Sequence, residues 1–150
     1  MFNIDAYIPK EYAINSDKIE LYQELQEIEN ESQLSKFVSH IRDVYGRLPD
    51  EVNLLIEKKK IDLLLDNEEF VDVSESEEYV DILLSSQFAR IGGIGVELFN
   101  QLMPYINSIK VTFINKELNI RMKKNDEWIK RVYDILMIIH KLYMNKNSVS

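Results

Sequence analysis

Gly92-Gly93-Ile94-Gly95 is the one glycine cluster in this sequence. Its spacing fits neither the dinucleotide fingerprint nor a Walker loop, and no Gly-Lys-Ser/Thr follows, so it reads as a turn before a helix. The two histidines, His40 and His140, fall on separate expected helices. Asp43 lies one turn from His40, but a metal site needs further ligands that the neighbouring sequence does not supply. His40 therefore reads as a surface or interface residue, and His140, near a helix C-terminus, as dipole-compatible. Glu68-Glu69 and Glu77-Glu78 are paired carboxylates in a polar stretch. Catalytic carboxylates need burial or a specific neighbour to shift their pKa, so these four are expected to be solvated. No serine sits in a Gly-x-Ser-x-Gly elbow. Tyr7, Tyr12, Tyr22, Phe113 and Trp128 lack a basic groove and are expected to pack rather than stack on bases. The expectation is a non-enzymatic chain with no cofactor and no metal.

Composition points the same way. A length of 150 residues suits a single domain, expected over 1–150. A net charge of −8 argues against nucleic acid as the main partner, since phosphate binding draws on Lys and Arg. Lys58-Lys59-Lys60 is the one basic run, expected on a solvated face late in a helix. The absence of cysteine removes disulfides, thiol nucleophiles and thiolate zinc sites and suits a reducing, cytoplasmic setting. The start, Met1-Phe2-Asn3-Ile4-Asp5, has no signal-peptide pattern, and no apolar run reaches the ~20 residues of a membrane span.

The elements that would carry any function centre on 32–65. Leu34, Phe37, Val38, Ile41 and Tyr45 recur at helical spacing and are expected in the core. The opposite side carries Lys36, Ser39, His40, Asp43 and Arg47 and faces solvent or a partner. Gly46 stops this helix and Pro49 starts the next, giving a helical hairpin with a set corner. The second helix, about 49–65, presents Val52, Leu55, Ile56 and Leu63, with Ile61, Leu64 and Leu65 on further sides. Before the hairpin, 2–8 reads as a short edge strand or extended arm. A first helix from Asn15-Ser16-Asp17 to about Glu29 has a possible capping box of Asp17 and Glu20 and a face of Leu21, Tyr22, Leu25 and Ile28. Asn30 and Gln33 form a second capping pair.

Past an acidic seam at 66–78, with a short strand at 70–73, Val80, Ile82 and Leu84 alternate as a strand. Residues 85–95 read as a loop. A helix to Tyr105 follows, with Val96, Phe99, Leu102 and Met103 on its face. If Asn115-Lys116 is a two-residue turn, Phe113 faces Leu118, Val111 faces Ile120 and Ile109 faces Met122, with Thr112, Asn119, Lys110 and Arg121 on the wet side. A last helix from Asn125 or Asp126 packs Trp128, Val132, Leu136, Ile139 and Tyr143, and the tail from Asn145 frays. The fold class is α+β: N-terminal helices (about 15–66) including the hairpin, then a small antiparallel sheet covered by helices (about 70–144).

Asp5-Ala6-Tyr7-Ile8-Pro9, Ile19-Glu20-Leu21-Tyr22 and Val44-Tyr45-Gly46-Arg47-Leu48-Pro49-Asp50 resemble, in order and spacing, the C-terminal domain of the bacterial transcription-repair coupling factor family, Mfd. The likeness covers about the first third of the chain; the second half shares a strand, helix, hairpin and helix rhythm. The resemblance implies a piece of a multidomain ATP-driven DNA translocase that meets RNA polymerase and DNA through its other parts. In the family this domain docks on the UvrB-like domain of the same protein and masks its UvrA-binding surface until release. It implies no catalysis in the domain. The implied contact surface is the polar side of the helix before the corner, here His40, Asp43 and Val44. Asp43 keeps the family's residue type, while His40 replaces a Glu and Val44 an Arg. With Lys36 and Arg47 from the same face, these are the expected partner-binding residues. The alternative is a nucleic-acid-binding accessory domain of a repair or transcription ATPase, using Lys58, Lys59 and Lys60, or Lys110 and Arg121.

Overall fold

The computed structural model describes residues 6–148. The chain forms two compact units, Met1–Leu63 and Leu64–Ser150.

The first unit is helical. Helix α1 runs Asn15–Glu27, α2 runs Glu31–Tyr45 and α3 runs Asp50–Leu65. Leu21 of α1, Leu34, Phe37 and Ile41 of α2, and Val52 and Ile56 of α3 close one core with Ile8, Ala13, Ile28 and Leu48. Val38 and Tyr45 pack against it half-buried. The Asp17–Glu20 capping box does not form: Ile14 holds the cap position without a side-chain hydrogen bond, which leaves Asp17 inside the first turn. Its carboxylate there suits the positive end of the helix dipole. Tyr22 is 39% exposed, and its phenol oxygen accepts the Ile8 N–H at 2.8 Å, tying the segment before α1 to that helix. Of the expected N-terminal strand, residues 2–5 lie outside the described residues, and 6–9 form no regular element.

The start of α2 follows the expected chemistry. Asn30 Oδ1 accepts the Gln33 N–H at 2.8 Å, and Gln33 Oε1 accepts the Glu29 N–H at 2.7 Å. Gly46 ends the helix at φ 90° and ψ −156°, and its N–H donates to Arg42 O. That conformation is not the left-handed helical well; it is a region open to glycine almost alone. Pro49 sits just before α3, where its carbonyl accepts from Val52 and Asn53. The three lysines 58–60 are half-buried rather than solvated, and Lys60 pairs with Glu57.

The second unit holds a four-stranded antiparallel sheet in the order β1-β2-β4-β3, with β1 Phe70–Glu75, β2 Tyr79–Leu84, β3 Ile109–Ile114 and β4 Glu117–Lys123. Val80, Ile82 and Leu84 are fully buried. A bulge between Phe70 and Asp72 lets Phe70 and Val73 both reach the core, while the extra residue Val71 stays exposed. The β3–β4 hairpin has the expected register: Ile109 faces Met122, Val111 faces Ile120 and Phe113 faces Leu118. Asn115 and Lys116 take φ 54° and 68°, the double positive of a two-residue turn with the twist of its strands.

The stretch expected to be a loop contains helix α4, Ser86–Ala89, where Ser85 Oγ accepts the Phe88 N–H and Phe88 is fully buried. Helix α5 runs Ile94–Gln101, and a 3-10 turn follows at Met103–Tyr105, where Pro104 cannot extend the α-helix. Its buried face is Ile94, Leu98 and Leu102; Val96, Phe99 and Met103, expected inside, are exposed. The helix begins earlier than expected, at Ile94, behind Gly93 at the cap position with φ 75°, and Ile94 is buried. Helix α6 runs Trp128–Ser148, beyond the expected fraying point. Val132, Leu136, Ile139 and Tyr143 are buried as expected; Ile129 and Ile135 join them, and Trp128 is half-buried under the Lys124 ammonium at 4.7 Å. The buried sides of sheet and helices face one core, and the other side of the sheet is polar: α+β, helices first, then a helix-covered antiparallel sheet.

Candidate interaction surface

The outer face of α2 is built by its inner one. Burying Leu34, Phe37 and Ile41 turns Lys36, Ser39, His40 and Asp43 to solvent, and Val44, at 57% exposure, stands among them as an apolar spot. Arg47, past the corner, is exposed as well. Among the described residues, Lys36, His40, Asp43 and Arg47 form no ion pair or side-chain hydrogen bond.

The corner that fixes this face is tied from within. The Tyr12 hydroxyl donates to Gly46 O at 2.9 Å, and its ring meets that of Tyr45 at 5.6 Å and 42°. Burial pushes the Tyr12 phenol above the ordinary tyrosine value, opposed by the Arg42 charge. Tyr45 is also raised, by desolvation first and then by its hydrogen bond to Asp17.

Beside the face lies a groove that the sequence did not announce. Leu34, Val38, Leu48 and Ile56 form its floor, and Ser35, Ser39, Arg42, Asn53, Glu57 and Lys60 stand around it, enclosing about 330 Å³. A second hollow of about 530 Å³ continues from it past Arg42, Leu48 and Asn53 to Gly46 and Arg47. Ser35, Ser39 and Arg42 recur one helical turn apart, and the two small serines leave room between α2 and α3. That spacing was the available signal. Of the expected binding residues, Arg47 lines this groove; Lys36, His40, Asp43 and Val44 do not.

The second unit's polar groups are mostly committed. On the open side of the sheet, Arg121 donates to both oxygens of Asp81, at 2.9 and 3.1 Å, and covers the Tyr79 ring at 4.7 Å. Those hydrogen bonds hold the Asp81 carboxyl below its ordinary value, against an opposing push from burial. A shallow hollow there is lined by Asp81, Lys110, Thr112, Asn119 and Arg121. Glu69, expected to be solvated, is 1% exposed and meets His140 Nδ1 at 2.6 Å, and Glu68 accepts the Tyr143 hydroxyl at 2.5 Å. His140 is thus a buried carboxylate's partner and not merely dipole-compatible. Lys124 pairs with Glu75, and Tyr105 donates to Asp134 at 3.3 Å. The expected packing of Tyr7 and Phe113 does not occur; they are 48% and 62% exposed. Among the described residues, no three His, Cys, Asp or Glu side chains gather as a metal site, and no helix is long and apolar enough to cross a membrane.

Helices followed by a helix-covered, four-stranded antiparallel sheet define the fold class as α+β. The family model of the TRCF domain matches residues 2–90, more than half of the chain, and the chain belongs to that family. Similar curated proteins are the transcription-repair-coupling factors of Staphylococcus haemolyticus (strain JCSC1435), 27% identical over 128 residues, and Staphylococcus epidermidis (strain RP62A), 29% identical. That of Staphylococcus aureus (strain USA300) is 28% identical. Each alignment covers 85% of this chain and 11% of the relative, so the chain spans about a tenth of the length of these proteins. The crystal structure of a C-terminal domain of transcription-repair coupling factor shares the fold, with a TM-score of 0.76 at 20% identity over 100% of this chain and 94% of that one.

Proposed function

We propose that this chain is a non-catalytic regulatory domain of a cytoplasmic transcription-repair coupling factor. It docks on the UvrB-like domain of the same protein through the outer face of α2 and masks the surface that UvrA binds. RNA polymerase and DNA are met by the parent protein, outside this domain. The observation that carries the reading is the α2 face itself: Lys36, His40, Asp43 and Arg47 are exposed and unpaired around Val44 among the described residues. A clamp that must open needs a modest, mixed-polarity interface, because a large apolar one could not be displaced. The nucleic-acid alternative draws less support, since Arg121 is held by Asp81 and Lys60 by Glu57.

The test is UvrA binding by the full-length parent carrying D43R. Opening of the clamp raises UvrA affinity several-fold; affinity equal to wild type removes Asp43 from the interface. Titrating this chain against the separately expressed UvrB-like domain, with UvrA as competitor, tests the docking directly. A steep salt dependence of DNA affinity for this chain would favour the alternative.

A further inference from the structure

The outer edge of the sheet carries a pattern that matches itself. Strand β3 pairs with β4 on one side and, among the described residues, with no strand on the other. The Lys123 N–H donates to Ser108 O, so 108, 110, 112 and 114 direct their backbone groups toward β4. Ile109, Val111 and Phe113 therefore direct theirs to the open edge. Their side chains share the apolar side, where Phe113 is 62% exposed and Ile109 and Val111 only half-buried. Natural edges are usually blunted by several charges, proline or a bulge; between Ile109 and Ile114 the only such device is Lys110.

We propose that this edge joins a second copy of the chain, β3 against β3 antiparallel, about a twofold axis at Val111. In that register Val111 faces Val111 of the second copy and Ile109 faces Phe113, so apolar residues meet on the apolar side. Lys110 faces Thr112 on the polar side, and every outward N–H and C=O of Ile109, Val111 and Phe113 finds a partner. Neighbouring symmetric registers are worse: one sets Lys110 against Lys110, and the other brings the turn residue Asn115 against Ile109 and leaves outward groups unpaired. A slip by one residue puts apolar side chains against polar ones. Net charge opposes the pairing, because each copy carries −8. Association therefore strengthens as salt screens that repulsion.

Sedimentation equilibrium of this chain reads the outcome. A dimer that tightens with salt and is weakened at least tenfold by F113K is expected; Phe113 is exposed, so the variant keeps its fold. A second arm uses the lack of cysteine. In hydrogen-bonded antiparallel pairs, facing Cα atoms lie about 5.5 Å apart, within the reach of a disulfide, so V111C cross-links to itself under oxidation. T112C does not, because that residue faces Lys110. A monomer up to about a millimolar, a dimer indifferent to F113K, or equal cross-linking by V111C and T112C overturns the proposal.

Discussion

Nδ1 of His140, on α6, lies 2.6 Å from Oε1 of Glu69, whose side chain is almost wholly shielded from water beside β1. The two residues are 71 positions apart in sequence, so the contact joins the start of the second unit to its end. Removing one member leaves the other without its partner, and that desolvated group costs more than the hydrogen bond contributed.

Denaturant melts of Glu69→Ala and His140→Ala are expected to show losses of about 2–3 kcal/mol each. The double variant should lose clearly less than the sum, since both changes break one contact. Strict additivity would mean that the two groups act independently.

Asp81 and Arg121 predict an acid limb. The Asp81 carboxyl is held below its ordinary value chiefly by the Arg121 hydrogen bonds, so the unfolded chain takes up that proton first as pH falls. The stabilisation is fully present above the unfolded pKa of about 3.9 and is lost as pH drops through the lower folded value. The stability gap between the parent chain and Asp81→Asn should therefore close below about pH 4. A gap that is constant from pH 7 to pH 2 would contradict the pairing.

Two glycines should answer alanine oppositely. Gly46 has φ 90°, and Gly46→Ala is expected to cost about 1–3 kcal/mol by strain alone, because no atom crowds the new methyl. Gly95 lies inside α5 with an ordinary backbone and equally open space, so Gly95→Ala should stabilise by about 0.5–1 kcal/mol. Thermal melts of both variants give the comparison; the same sign for both would refute it.

The docking proposed for the α2 face makes a fourth prediction. Val44→Lys replaces the apolar spot on the α2 face without touching the core, so the isolated chain should melt as before. Affinity for the UvrB-like domain should fall several-fold. Unchanged affinity would place the interface elsewhere.

Where the information was local, residue types alone carried it. The periodicity of Leu34, Phe37 and Ile41, the Asn30–Gln33 cap and the glycine stop set α2 and its outer face. Strict alternation on either side of a two-residue turn set the register of 109–114 against 117–122, because one slip would invert every side chain. Other features depended on neighbours distant in the chain. A pattern says which side of a strand is apolar but not how many strands flank it; the order β1-β2-β4-β3 buries Leu118, Ile120 and Met122 in the middle and leaves Phe113 at the rim. On α5 the sequence offered two apolar stripes about 100° apart, one through Val96, Phe99 and Met103 and one through Ile94, Leu98 and Leu102, and only packing selected the second. Glu69 looked like a solvated acid because nothing nearby in the sequence marks it otherwise; only folding brings His140 against it and makes its burial tolerable.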